Sequence, residues 1–317
     1  MADPPNASAI SPTANEACRR LRRGGRARTG AWAKTGWLAA VAVLAASCGA
    51  SAAAPITGTS VNVAYAGSLV RLIEQNLAPA FDSQSGERLV GYSGGSTELG
   101  HQIEANIRPV DVFVSASAAA DRTLMADKKG PRCTWYVSFA QSPLVLAYNP
   151  HSRFAAQLRT RPWYRVIRQA GFLLGRTDPA LDPKGRLTAE VVRRTAAATG
   201  DSALDQLLSN ERGVYPENGL LGRLEAGQLD AGFFYEQEAK AAGLPTVTLT
   251  PMTLSATYTA TIVTGARHRR AAVAFIEFLL GATGSRLLHD HGFVVLRPAR
   301  FQGTGIPPLI KSAADGR

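Results

Sequence analysis

The sequence is poor in cysteine and in aromatic residues, and it has no long apolar run. Only three of its 317 residues are cysteine, and Cys18 and Cys48 fall in an N-terminal segment that does not resemble folded protein. A disulfide framework is therefore excluded, and the fold must be held by its apolar core. The apolar stretch at 37–47, WLAAVAVLAAS, is too short to span a bilayer comfortably.

Acidic residues are also scarce relative to basic ones. The chain has 24 Asp and Glu against 35 Lys and Arg, a net charge of +11, of which residues 1–54 carry +5 and the rest +6. The basic residues of the remainder are scattered and rarely interleaved with aromatics, so we expect no nucleic-acid partner. A mild positive charge suits an anionic ligand, although a solvated surface explains it equally well.

The N-terminal segment, residues 1–54, has the three-part layout of an export signal. A basic run at 19–28 precedes the apolar stretch, and small residues follow in CGASAAAP at 48–55. Cleavage before Pro55 would release a soluble periplasmic protein. The sequence AASC, ending at Cys48, resembles a lipobox, and lipid on Cys48 would instead anchor the chain to the membrane. An uncleaved membrane anchor is the third reading.

The remaining sequence predicts an α/β fold. Apolar periodicity indicates strands at 61–67, 87–93 and 109–117 with helices between them, the order that produces a parallel sheet. A second α/β unit follows, and no long linker separates the two. We therefore expect two lobes with parallel-rich sheets, lobe one from residues 57–148 plus 257–317 and lobe two from residues 149–256.

The stretch GYSGGSTELG at 91–100 permits two interpretations. In the first, Ser93 is the nucleophile of a G-x-S-x-G turn, with His289, Asp290 and His291 as partners. That turn must follow a central strand, and only about two strands precede Ser93. No oxyanion loop lies upstream, and HDHG is expected to be an exposed helix end. A secreted serine hydrolase is thus a distant alternative.

The second interpretation uses turns at consecutive strand ends. AYAGS (64–68) and SGGS (93–96) each end a strand and begin a helix, and VSAS (114–117) offers a third edge through Ser115. Carboxyl ends of parallel strands line one crevice, where helix starts present unpaired N–H groups. Gly67 and Gly95 would let the backbone approach an oxyanion, and Ser68 and Ser96 would add hydroxyl donors. Alternatively, both serines only cap their own helices.

Several segments together resemble a known family. In order along the chain they are AGSLVRLIEQNLAPAF, SGGSTEL, DVFVSAS, FAQSPLVLAYNPHSRFA, GRTDPALDPKG and LEAGQLDAGFFYEQEAKAAGL. They resemble periplasmic substrate-binding proteins of ABC transporters, in particular the tungstate/molybdate-binding branch, over most of residues 60–292. The resemblance implies a two-lobe venus-flytrap fold of type II with a hinge crossed twice. It also implies a protein without catalysis, which hands a small oxyanion to a membrane permease. We expect the protein to be a monomer without a cofactor.

The resemblance also implies roles for individual residues. Ser68 and Ser96 would bind ligand oxygens, Tyr235 would donate to the ligand, and Asp182 matches the carboxylate that reaches the metal of tungstate or molybdate in some members. Phe234 stands where the family has a second carboxylate, which weighs against six-coordinate metal binding and leaves a phosphate-like or organic anion as an alternative. From the residues alone, Asp182 before Pro183 is equally a helix N-cap, and Tyr235 is equally a packing residue.

Overall fold

The computed structural model describes residues 60–315, so the predicted export segment, with Cys48 and the cleavage site, lies outside the described residues. The strands are β1 Ser60–Ala66, β2 Arg88–Gly94, β3 Val112–Ser115, β4 Trp135–Tyr148, β5 Leu174–Gly175, β6 Ala231–Tyr235, β7 Thr246–Thr248, β8 Ser255–Ile262 and β9 Val294–Gly303. The helices are α1 Val70–Leu72, α2 Ala78–Ser85, α3 Ser96–Glu104, α4 Ala118–Met125, α5 Ala155–Thr160, α6 Trp163–Val166, α7 Pro183–Thr199, α8 Ala203–Gln206, α9 Glu217–Glu225, α10 Glu236–Ala241, α11 Arg269–Leu280, α12 Ala282–Asp290 and α13 Pro308–Ala314. Short 3-10 turns occupy Gly67–Leu69, Leu207–Ser209 and Glu211–Gly213, and a π-helical turn occupies Ile73–Leu77.

The sheet order is β2-β1-β3-β8-β4-β6-β5, and β7 and β9 also pair with β4. Strands β2, β1 and β3 are parallel, as predicted, and so are β5 and β6. Every partner of β4 is antiparallel, and so is the β3–β8 pair. The expectation of parallel-rich sheets was therefore wrong in this respect, because β4 and β8 run against their neighbours and make both sheets mixed.

Strand β4 belongs to two sheets. Its first part pairs with β8 and β9, and from Leu144 onward it pairs with β6 and β7. The chain thus passes from one sheet to the other within β4 and returns before β8, consistent with two crossings. The lobe boundaries given above stay a prediction.

The apolar core combines side chains from the strands and from the covering helices. Phe81 of α2 packs edge-on against Phe275 and Phe278 of α11, with ring centroids 5.4 and 5.6 Å apart. Edge-to-face pairs of this kind add stability beyond the area they bury. In residues 60–315 no single helix is long and apolar enough to cross a membrane; α11 and α12 reach that length and composition only as a pair, bent by 56°.

Candidate functional site

The carboxyl ends of β1, β2 and β3 meet at one edge of the first sheet. Ala66 at the end of β1 is level with Gly94 of β2, and Tyr65 is level with Val114 of β3. The buried Ser96 hydroxyl oxygen accepts a hydrogen bond from the amide of Ala116 at 3.1 Å. The structure thus joins the SGGS turn to the VSAS turn, as parallel strand ends require.

Ser68 connects this edge to Tyr258 on β8 of the same sheet and to Gln237 on α10, the helix that follows β6. Its hydroxyl lies 3.1 Å from the hydroxyl of Tyr258 on β8, and its carbonyl accepts from the side-chain amide of Gln237 on α10 at 3.0 Å. Gln237 also lies 3.3 Å from the Tyr258 hydroxyl. Ser68 is therefore part of a buried polar network, and no side-chain cap from the residue preceding its turn is present.

The loop before α7 packs directly on the SGGS turn. The amide of Glu98 in the first turn of α3 donates to the Leu181 carbonyl at 3.0 Å. A Cβ atom on Gly95 would lie 2.6 Å from that carbonyl oxygen and 3.3 Å from Cβ of Asp182. Gly95 and Asp182, predicted from separate parts of the sequence, are thereby brought together, and only a glycine allows so close an approach.

Asp182 caps α7, as its position before Pro183 predicted. Its Oδ1 accepts from the amides of Lys184 at 2.9 Å and Gly185 at 3.4 Å, and from the Thr177 hydroxyl at 2.8 Å. Burial raises the pKa of Asp182, although the Lys184 charge and these hydrogen bonds act in the opposite direction. The capping role of Asp182 is thus present in the structure, and contact with a ligand stays a prediction.

Ser115 reaches the same sheet edge, but its hydroxyl is already engaged. It donates to the Ser117 carbonyl at 2.9 Å and accepts from the Ser117 amide at 2.9 Å. Ser117 in turn caps α4 by accepting from the amide of Ala119 at 3.2 Å. This arrangement favours a role for Ser115 in shaping the turn.

A buried ion cluster lies beside these residues, and sequence reasoning missed it. The Lys184 side chain is 1% exposed, and its Nζ donates to Glu217 Oε1 at 3.0 Å and to Glu238 Oε1 at 2.8 Å. Burial lowers the pKa of Lys184, but the carboxylates of Glu217 and Glu238 outweigh burial and raise it. Burial raises the pKa of Glu217 to about 8, against the opposing effect of the Lys184 charge. Lys184 was visible in the sequence only as part of LDPKG.

Tyr235 ends β6 inside the molecule. Tyr235 is 1% exposed, and the centroid of its ring lies 5.9 Å from that of Tyr258. Its hydroxyl has no hydrogen-bond partner among residues 60–315. Burial raises its pKa well above the usual value. Phe234 is also fully buried and packs in an apolar cluster that includes Val145 and Leu220. Position 234 is therefore a core position, and its correspondence to a carboxylate of the family stays a prediction.

The geometry does not support a hydrolase. Ser93 lies inside β2, an edge strand of the sheet, and the only non-glycine residue with positive φ in residues 60–315 is Asn106. The strained turn that presents a nucleophile is thus not formed around Ser93. The side chains of His289 and Asp290 are 82% and 56% exposed at the end of α12, as the sequence predicted for HDHG.

The fold is built from two sheets that share the long strand β4, and polar groups gather at the carboxyl ends of β1, β2 and β3. The model of the bacterial extracellular solute-binding protein family matches residues 61–294, and the chain belongs to this family. The prediction of a solute-binding protein is confirmed.

Two relatives and two solved structures illustrate the similarity. The chain is 28% identical over 281 residues to an uncharacterised solute-binding protein of Petrotoga mobilis, covering 77% of this chain and 85% of that protein. It is 24% identical over 253 residues to the molybdate/tungstate-binding protein WtpA of Thermococcus kodakarensis, covering 63% and 71%. The Azotobacter vinelandii periplasmic molybdate-binding protein superimposes with a TM-score of 0.57 at 19% identity, covering 74% of this chain and 99% of that one. The sulfate-binding protein SubI of Mycobacterium tuberculosis gives a TM-score of 0.55 at 19% identity, covering 80% and 89%. These two structures confirm the predicted periplasmic-binding-protein fold.

Proposed function

We propose that this chain is the exported solute-binding component of an ABC transporter and that it holds molybdate or tungstate between its two lobes. The relative from Thermococcus kodakarensis, named for these two oxyanions, supports the ligand class. The ligand would be handed to a permease, and the chain would act without catalysis or a cofactor.

The observation that carries this proposal is the unpartnered hydroxyl of Tyr235. An unsatisfied buried polar group costs about 1–3 kcal/mol, and this hydroxyl is fully enclosed without a protein acceptor in the described part of the chain. An oxyanion oxygen would accept its proton. Ser68 and Ser96, at the ends of β1 and β2, would supply further hydroxyl donors to the same ligand.

Calorimetric titration with molybdate, tungstate, sulfate and phosphate tests the proposal. We expect molybdate and tungstate to bind more tightly than the other two, and Tyr235→Phe to weaken their binding by about tenfold, the value of one lost hydrogen bond. Tyr164→Phe, the same change away from the site, is the matched control. If none of the four oxyanions binds, the proposal is wrong.

We further propose that the exported chain is a monomer that begins at Pro55. Mass spectrometry of the protein from its producing cells tests the cleavage site, because a lipid-modified chain would begin at Cys48 and carry the added acyl mass. Gel filtration with light scattering measures the oligomeric state directly.

A further inference from the structure

The amino ends of the parallel strands form a surface at the opposite end of the first sheet from the candidate ligand site. Strands β1, β2 and β3 begin there, β8 ends there, and β4 begins beside the end of β8, as the strand registers require. The amide of Val263 donates to the Asp111 carbonyl at 3.0 Å, and the amide of Thr264 donates to the Arg132 carbonyl at 2.7 Å. These bonds hold together three segments that we call the amino-end face, residues 104–111, 126–134 and 263–270.

The amino-end face is strongly positive. Its three segments hold seven Lys and Arg against three acidic residues, a net charge of +4. Two of the acids are already engaged, Asp111 with His268 at 2.9 Å and Asp127 with Arg132 at 2.8 Å. Six exposed cations remain, and within residues 60–315 none of them forms an ion pair: Arg108, Lys128, Lys129, Arg267, Arg269 and Arg270. A cluster of uncompensated cations is electrostatically complementary to an extended anionic surface.

Two of these cations border a cavity with an apolar floor. Arg108 and Arg267 line about 280 Å³ together with the buried Ile103 and Val263. Ile107, next to Arg108 in the chain, is 63% exposed. A guanidinium binds phosphate oxygens through parallel hydrogen bonds, and an apolar side chain among cations enters the boundary between lipid headgroups and acyl chains. The arrangement therefore fits phospholipid headgroups better than a small soluble anion.

The chain also enters the fold at this end of the sheet. Ser60 opens β1 there, five positions after Pro55, where we propose that the exported protein begins. Five residues reach at most about 18 Å, so this end of the sheet lies close to the bilayer when the export segment is cut. The candidate ligand site lies at the other end of the seven-residue strand β1, about 20 Å away. A lipid surface against the amino-end face therefore leaves the ligand site open.

We propose that the amino-end face docks on an anionic phospholipid surface. The headgroup phosphates bind Arg108 and Arg267 at the cavity, the neighbouring cations add electrostatic attraction, and Ile107 enters the headgroup layer. Docking holds the exported protein at the membrane with its ligand site directed away from the bilayer. The interaction does not depend on which solute the site binds.

Vesicle sedimentation tests the proposal. The exported protein is mixed with vesicles of equal parts phosphatidylglycerol and phosphatidylcholine, or of phosphatidylcholine alone. If mass spectrometry shows a lipid on Cys48, Cys48→Ser is the background for every measurement. We expect wild type to bind the anionic vesicles selectively. This binding should weaken between about 0.1 and 1 M salt, because the screening length falls from about 10 to about 3 Å.

The amino-end variant combines Arg267→Gln, Arg269→Gln and Arg270→Gln. Each Lys or Arg near an anionic surface contributes about fivefold to binding, which corresponds to about 1 kcal/mol. We therefore expect the variant to bind anionic vesicles at least tenfold more weakly than wild type. Arg269 and Arg270 lie in the first turn of α11, where positive charge is unfavourable to a helix, so their removal should not unfold the chain.

The matched control combines Arg159→Gln, Arg161→Gln and Arg165→Gln. These arginines are also exposed and form no ion pair in the described part of the chain, but they lie on α5, α6 and the turn between them, beyond the end of β4. The change in net charge is identical, so vesicle binding should stay within about threefold of wild type. Should the amino-end variant fail to fold, Lys128→Gln with Lys129→Gln, in an exposed loop, must weaken binding at least fivefold.

The outcomes separate this proposal from the proposed function. Equal losses in the two triple variants, or equal binding of wild type to both kinds of vesicle, overturn docking through the amino-end face. Molybdate titration of the amino-end variant should match wild type, because the altered residues lie at the far end of the sheet from the ligand site. Failure of the lipid interaction would therefore leave the proposed function intact, and failure of oxyanion binding would leave the lipid interaction intact.

Discussion

Replacing Lys184 by methionine tests the buried ion cluster. Methionine has a similar unbranched stem and no charge, so Glu217 and Glu238 would lose the ammonium that lies 3.0 and 2.8 Å from their oxygens. Removing one partner of a buried ion pair costs about 3–5 kcal/mol, because the remaining charge stays desolvated. For a domain of this size, each 1 kcal/mol shifts Tm by about 2–4 °C, so a fall on the order of 10 °C is expected.

The loss of stability caused by Lys184→Met should depend on pH, and the pKa of Glu217 sets the direction of that dependence. Burial raises the pKa of Glu217 to about 8, so this group is ionised at pH 9 and mostly neutral at pH 6. The loss caused by Lys184→Met should therefore be largest at pH 9 and smaller at pH 6.

Urea denaturation followed by circular dichroism at the two pH values measures this difference. Lys311→Met, on the exposed face of α13, is the control and should stay within about 0.5 kcal/mol of wild type. A loss below about 1 kcal/mol at pH 9 would refute the argument that Lys184 neutralises buried carboxylates.

Three further predictions concern other buried residues. Asp182→Asn should keep the stability of α7 within about 0.5 kcal/mol, because asparagine also caps helices; an accompanying loss of molybdate affinity in calorimetry would then identify a ligand contact, and an unchanged affinity would leave only the cap. Gly95→Ala should weaken oxyanion binding at least tenfold, because the added Cβ would lie 2.6 Å from the Leu181 carbonyl oxygen and force the loop off α3; unaltered titration curves would contradict this. Burial also raises the pKa of Asp121 to about 7, so both Asp121 and Glu217 bind protons more tightly in the folded chain than in the unfolded one. Wild-type stability should therefore fall as pH rises from 5 to 8, by at most about 1.4 kcal/mol per pH unit for each group. Asp121→Asn should reduce the slope below pH 7 only, whereas Glu217→Gln should reduce it up to pH 8.

Part of the site was predictable because it depends on residues that are close together in the sequence. Asp182 caps α7 through amides two and three residues ahead, and such a cap is readable from Asp followed by Pro. The turns after β1 and β2 were predictable for the same reason, since a change from alternating to helical spacing marks each strand end. Parallel pairing of β1, β2 and β3 then placed Ser68, Ser96 and Ser115 at one edge.

The order of the elements, their ends and the polar turns between them could therefore be predicted from the sequence, because short-range hydrogen bonds and apolar spacing set them. The partners of β4 and the environment of Lys184 depend on long-range packing, since Lys184 contacts Glu217 and Glu238 from 33 and 54 residues away. A buried charge is stable only where packing of distant segments supplies its counter-charge. No local pattern around DPKG (182–185) or YPEN (215–218) predicts that contact, so the buried ion cluster became visible only in the folded chain.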